Sequence, residues 1–261
     1  GVSPAADITT LGRGGSDTTA SALGAALQAE RVEIYTHVDG VMTADPDVVA
    51  EARTLPVVTY EEVCNMAHHG AKVLHPRAAE IARRYHIPLW VKSVFSDSPG
   101  TRVAPLTEIQ PPTLRGVTGI AHLANLAHVT LEAPYDAAHP HLQLRLFETL
   151  GDADIPLSLL SLGERSFSFL VDRRHAETVE RITATLNVPR RVVPDCDMVS
   201  VVALNMWEVP GFLCQIANAL CSQGIPMLQM ADSEGSVACL VRKGDAPRAA
   251  RALHARFELG Q

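Results

Sequence analysis

The apolar positions change their period along the chain, and the changes divide it into elements. Residues 31–38, RVEIYTHV, alternate and carry β-branched and aromatic side chains, which predicts a strand. Residues 59–74, TYEEVCNMAHHGAKVL, carry helical spacing, with Thr59 as N-cap, Glu62 three residues later and Gly70 as the stop. A second helix starts at Pro76 and places Ala79, Ile81, Ala82 and Tyr85 on its apolar side. IPLWVKSVF, 87–95, is a further strand. Strand, helix and strand in alternation predict an α/β domain with a largely parallel sheet. Residues 96–116 are rich in Pro, Gly, Ser and Thr and read as a linker with one short extended piece.

The rest of the chain repeats itself at a shift of 70 residues. LFETLGDADIPLSLL (146–160) lies over IANALCSQGIPMLQM (216–230), so that Leu150 falls on Leu220, Ile155 on Ile225 and Pro156 on Pro226. Val129 falls on Val199 upstream, and FSFLVD (167–172) on VACLVR (237–242) downstream. Each copy reads strand, helix, strand, strand, helix, most of a ferredoxin-like βαββαβ unit. The second copy stops before its closing strand; the unassigned apolar run at 115–123 could fill that place, with the first copy inserted inside the second.

Length and composition narrow the function classes. The chain has 261 residues, a net charge of −7, 47% hydrophobic and 20% charged residues. It lacks the clustered Lys and Arg of a nucleic-acid face, and no apolar run approaches a membrane span or a signal peptide. The five cysteines include no CxxC pair and read as core residues of a reducing compartment, the cytoplasm. The histidine pairs His68-His69 and His139/His141 lack carboxylate or thiol partners at ligand spacing, so no metal site is expected; His68 and His69 read as favouring a helix C-terminus.

The candidate chemistry lies at 12–17, where Gly-Arg-Gly-Gly-Ser-Asp opens an alanine-rich helix. Gly12, Gly14 and Gly15 would allow a ligand close to the backbone, and the helix start supplies N–H groups and a positive dipole end. Arg13 can grip a carboxylate bidentately and Asp17 can pair with an ammonium, the two charges a zwitterionic amino acid presents. The plain alternative is that Ser16 or Asp17 only caps the helix.

TTLGRGGSDTTASALGAAL (9–27), then EIYTHVDGVMTADPDVVAEARTLPVVTYEEV and GAKVLHPRAAEIA, resemble in order and spacing the second half of an aspartokinase catalytic domain. LPVVTYEEVCNMAHHGAKV, LQMADS and the ending FELGQ are most similar to the diaminopimelate-sensitive members, and the repeats resemble the family's tandem, nested ACT domains. The resemblance implies an amino-acid-kinase (carbamate-kinase-like) domain, its C-terminal half at 1–105, a linker at 106–115, a first ACT unit at 116–194 and a second at 195–261.

It further implies transfer of the γ-phosphoryl of ATP, with Mg²⁺ as its companion ion and no tightly bound cofactor, to the side-chain carboxylate of L-aspartate. The product is 4-phospho-L-aspartate, at the head of lysine/diaminopimelate, threonine and methionine synthesis. Arg13, Gly14, Gly15, Ser16 and Asp17 would bind aspartate, with Asp17 and Lys72 catalytic. Thr36, His37, Met42, Thr43, Ala44, Asp45, Pro46, Asp47 and Lys72 would border the nucleotide. His37 stands where the family carries Asp, and Asp47 where it carries Arg. A feedback amino acid (diaminopimelate, lysine or threonine) would bind the ACT units at Pro156, Leu157, Ser158, Phe212, Leu213, Pro226, Met227, Ser233 and Glu234, with Pro140 to Gln143 as further candidates. The units would also join a homo-oligomer, with no nucleic-acid or membrane partner. The chain begins without the family's Lys-Phe-Gly-Gly strand and reads as N-terminally truncated, so these 261 residues alone are expected to be inactive. The alternative is a non-catalytic amino-acid-sensing and oligomerisation module.

Overall fold

The computed structural model describes residues 1–71, 73–109, 116–132, 141–204, 206 and 209–261. Residues 1–109 build a four-stranded sheet flanked by three helices. The strands are β1 (Val32–Thr36), β2 (Val57–Thr59), β3 (Leu89–Ser93) and β4 (Thr101–Ala104), in the order β1-β3-β4-β2. The helices are α1 (Gly15–Ala26), α2 (Tyr60–His68) and α3 (Pro76–Arg84). The local signals of α2 and α3 act as expected. The Thr59 hydroxyl accepts from Glu62 N, and the Glu62 carboxylate accepts from Thr59 N at 2.6 Å. Pro76 opens α3 behind His75, whose Nδ1 accepts from Arg77 N.

β1–β3 and β2–β4 are parallel, but β3–β4 is antiparallel, which qualifies the expectation of a largely parallel sheet. Only residues 94–100 join β3 to β4, too few for a helical crossover. β4 is the extended piece within 96–116 and is an inner strand. Its fully buried Thr101 accepts from Val41 N at 2.8 Å and donates to Leu55 O at 2.6 Å. The small faces of Ala78, Ala79 and Ala82 let α3 pack against Val32, Leu89, Val91 and Val103.

The second half is one six-stranded sheet, β6-β7-β5-β8-β10-β9. Two 13-residue strands, β5 (Gly119–Leu131) and β8 (Arg190–Val202), form its antiparallel spine. The outer part of β5, 126–131, pairs with β7 (Phe167–Asp172), which carries β6 (Ser158–Leu162); α4 (Leu142–Asp152) and α5 (Ala176–Ala184) cover that side. The inner part, 119–123, pairs with 198–202 of β8. There β8 also pairs β10 (Ser236–Arg242), which carries β9 (Gln229–Ser233), under α6 (Phe212–Ser222) and α7 (Ala246–Arg256). Each spine strand thus serves both repeats. The repeat-matched residues Val129 and Val199, Leu150 and Leu220, Ile155 and Ile225 are all buried.

The spine is irregular where the repeats meet. Asn125 takes a left-handed φ of 63°, and Asp197 accepts from Asn125 N (3.3 Å) and Gly244 N (2.7 Å). The sheet curls there, so that Gln229 of β9 accepts from Ser168 Oγ of β7 and donates to Leu159 O of β6. Cys196 and Cys239 are buried, but Cys214 and Cys221 lie exposed on α6, which corrects the reading of all five cysteines as core residues. Among the described residues, no helix is long and apolar enough to cross a membrane.

Candidate functional site

Gly12 and Gly14 adopt φ of 78° and 69°, a backbone that favours glycine, and turn the chain into α1 at Gly15. Gly14 is the N-cap and no side chain among the described residues caps the helix, so the plain capping reading of Ser16 and Asp17 does not hold. One reading of the glycines needs correcting. A Cβ on Gly14 would sit 2.3 Å from the His75 ring, so this glycine serves contact with α3, whereas Gly12 faces open space. Arg13 is exposed and has no ion pair among the described residues. Asp17 is half-buried; one carboxylate oxygen accepts from Ser16 Oγ (3.2 Å) and the other from His75 N (3.3 Å). The turn therefore holds a clamped carboxylate beside an uncommitted guanidinium.

Six of the residues expected at the nucleotide, His37, Met42, Ala44, Asp45, Pro46 and Asp47, line one cavity of about 330 Å³. Asp45 shapes this wall: its carboxylate accepts from Asp47 N (3.0 Å) and its carbonyl from Val48 N and Val49 N. Thr36 is absent from the lining, and its hydroxyl lies 3.4 Å from His37 Nδ1. Thr43 corrects the expectation: it is fully buried, and its hydroxyl meets His254 Nε2 at 2.9 Å and accepts from Arg53 N. Lys72 lies outside the described residues.

Local patterns missed the other walls of the cavity, Met66, Gly70 and Ala71 from the end of α2 and Ile120, Ala121 and His122 from β5. The cavity thus sits on the seam between the two halves. That seam is tight. Ile120 N donates to Thr43 O at 2.8 Å, Arg53 Nε to Leu259 O at 2.9 Å, and Thr118 Oγ1 to the buried Glu62 carboxylate.

His69, at the end of α2, is part of the seam. Its Nδ1 lies 3.0 Å from Ser200 Oγ on β8 and its Nε2 2.8 Å from Ser236 Oγ on β10; Ser236 Oγ in turn lies 2.8 Å from Ser233 Oγ. Burial, with a smaller contribution from His68, pushes the His69 pKa down to about 4. The expected dipole-stabilising role is therefore corrected for His69, which is a neutral bridge between the halves.

The expected effector residues do not converge. Phe212 and Leu213, at the start of α6, line a cavity of about 230 Å³ with Met206, Val209 and Gly211. Ser233 and Glu234 line a different cleft of about 580 Å³, against Asn65 and His68 of α2 and Arg83 of α3. Pro226 and Met227 follow the far end of α6, about 16 Å along the helix axis. In the first unit Pro156 and Ser158 are exposed and Leu157 packs on the core, at the end of α4 away from Leu142 and Gln143. Pro140 lies outside the described residues. The spacing of a strand-helix-strand unit cannot distinguish the two ends of its helix, and this separates the expected set.

Residues 1–93 match the amino acid kinase family, and residues 191–255 match the ACT domain. Aspartokinase 1 of Bacillus subtilis (strain 168) is 39% identical over 264 residues, covering 100% of this chain and 65% of that protein. The solved structure of E. coli aspartokinase III in complex with aspartate and ADP (R-state) superposes with a TM-score of 0.85 at 27% identity, over 98% of this chain and 58% of that one. The same enzyme with lysine and aspartate (T-state) gives 0.75 at 28%, with the same coverage. This chain's arrangement is thus nearer the aspartate–ADP complex than the lysine complex. The chain spans slightly less than two thirds of the length of the curated relatives, 65% and 63% for the B. subtilis and Mycolicibacterium smegmatis proteins. The amino acid kinase match, the ACT match and 39% identity along its whole length make this chain similar to the aspartokinases.

Proposed function

We propose that the chain forms part of an aspartate kinase, which transfers the γ-phosphoryl of MgATP to the side-chain carboxylate of L-aspartate and answers to a feedback amino acid. The observation that carries this reading is the glycine turn at 12–15, which leaves Arg13 uncommitted beside the clamped Asp17. Arg13 holds the substrate α-carboxylate with two parallel charge-assisted bonds, Asp17 holds the ammonium, and Gly15 and Ser16 lie along the substrate. The aspartate side-chain carboxylate is already ionised, so its oxygen attacks the γ-phosphorus and ADP leaves without proton transfer. The chemistry then rests on alignment and charge stabilisation.

The cavity at His37, Met42 and 44–47 takes the nucleotide, and Lys72 offsets charge at the phosphates. Its volume falls at the lower end of the ligand-site range. Asp45 and Asp47 supply hard oxygen ligands of the kind Mg²⁺ takes, which suits a wall carrying two carboxylates better than direct contact with phosphate. The ACT units bind diaminopimelate, lysine or threonine and pair with a second copy, in the cytoplasm. One observation favours the second reading, a non-catalytic sensing module: among the described residues lining that cavity there is no Lys or Arg.

Arg13→Ala tests the clamp in protein expressed from its complete gene, by aspartyl-hydroxamate formation. Losing a bidentate charged contact is expected to raise the KM for aspartate roughly 30-fold and leave the KM for ATP within about threefold. Equal changes in both constants would remove Arg13 from the aspartate site.

A further inference from the structure

The curled sheet carries a second charged cavity, remote in sequence from the turn at 12–17. It encloses about 380 Å³ and is lined by His128 and Thr130 of β5, Arg191, Val193 and Asp195 of β8, Leu228, and Arg242 and Lys243 at the end of β10. The pairing puts these residues on one face of the sheet. His128 is opposite Val193, Thr130 opposite Arg191, and Arg242 opposite Cys196, and directly opposed residues share a sheet face. This is the face away from the helices, since the alternate residues Ala127, Val129 and Leu131 pack in the core with α4 and α5.

The charges around this cavity are unbalanced. Asp195, the one carboxylate among the described residues that line it, is already paired with Lys243 at 2.9 Å and with Arg173 at 3.0 Å. The Lys243 hydrogen bond, then the charges of Arg173 and Lys243, hold Asp195 below the usual carboxylate range. The side chains of Arg191 and Arg242 have no ion-pair or hydrogen-bond partner among the described residues. The His128 Nε2 is buried and has no hydrogen-bond partner among the described residues. Two uncommitted arginines and a lysine line one cavity, in a chain whose net charge is −7.

From this geometry we infer that the cavity between His128, Arg191 and Arg242 is a binding site for a small dianion, a phosphate monoester or a dicarboxylate. The two guanidiniums supply the charge and the paired N–H donors that a dianion's oxygens require. Lys243 remains tied to Asp195 as a supporting cation, and the His128 ring forms part of the lining. Thr130 adds a neutral hydroxyl. Its position across both repeats would let an anion tie β5 to β8 beside the irregular stretch where the sheet curls.

Calorimetric titration of the 261-residue chain with inorganic phosphate, succinate and acetate tests this. Saturable one-to-one binding of phosphate or succinate, with acetate at least about tenfold weaker, is expected; whichever dianion binds more tightly identifies the head group. Arg191→Ala/Arg242→Ala should weaken that binding by about tenfold or more, and the exposed Arg165→Ala should leave it unchanged. The His128 imidazole resonances should shift during titration of the unmodified chain. The inference fails if neither dianion saturates in the tens of millimolar, if the double variant binds as well as the parent, or if Arg165→Ala weakens binding equally. Circular dichroism matching the parent's establishes that the double variant is folded; if it is not, failure of the His128 resonances to shift in the parent overturns the site.

Discussion

Gly70→Ala is expected to destabilise the protein by roughly 4 kcal/mol and to loosen the seam between the kinase half and the ACT sheet. Gly70 ends α2 at a φ of 109°, where a side chain costs about 1–3 kcal/mol of backbone strain. A Cβ there would also lie 2.1 Å from the carbonyl oxygen of His122 and 2.9 Å from its carbonyl carbon. Those atoms belong to β5 and are fixed by pairing with Val199, so no side-chain rotation relieves the overlap. The two halves must separate or α2 must end early. Thermal unfolding should show a fall of about 10 °C in Tm. Gly151→Ala is the matched control. It lies in α4 with nothing within 4 Å of an added Cβ, and should stabilise by about 0.5–1 kcal/mol. A Gly70→Ala protein as stable as its parent would mean that the close approach of α2 to β5 does not exist.

The second large effect is acid destabilisation through His69. Its folded pKa is about 4 against an ordinary value of 6.5, because burial disfavours the imidazolium. The unfolded chain binds the proton more readily, so the stability from keeping His69 neutral is complete above pH 6.5 and is lost as pH falls toward 4. The loss should be about 2 kcal/mol at pH 5 and roughly 3 kcal/mol near pH 4. Burial also lowers the pKa of His128 and His254, which adds to the same slope. His69→Gln isolates the contribution. Urea unfolding at pH 7 and pH 5 should show a difference smaller by about 2 kcal/mol in the variant, although Gln costs some stability at pH 7 through the bonds to Ser200 and Ser236. An unchanged pH difference would place the titration elsewhere.

What the sequence showed was local or repeated. The Thr59–Glu62 box, Pro76 at a helix start and the alternation of 31–38 act within a few residues, and the 70-residue repeat records the same apolar positions twice. The glycine turn was legible for the same reason, because Gly12 and Gly14 take a backbone that other residues avoid. The seam was not legible. Ile120, His122 and Met66 meet the 42–47 loop from positions about 20 and 75 residues away, and ordinary apolar patterning does not say which partner an apolar residue will find. His69 carried one signal that could have found it: it adjoins Gly70 at the end of an amphipathic helix, where a glycine admits another backbone. The scattered effector set failed differently, since the motif identifies a unit but not which end of its helix faces a cleft.

We propose that this chain is part of a working aspartate kinase rather than of a sensing module. Aspartyl-hydroxamate formation by protein expressed from its complete gene, with MgATP and either L-aspartate or D-aspartate, tests it most directly. If Arg13 and Asp17 hold the α-carboxylate and ammonium as proposed, turnover will require L-aspartate and saturate with it. Folded protein that binds a feedback amino acid but forms no hydroxamate with L-aspartate would contradict it.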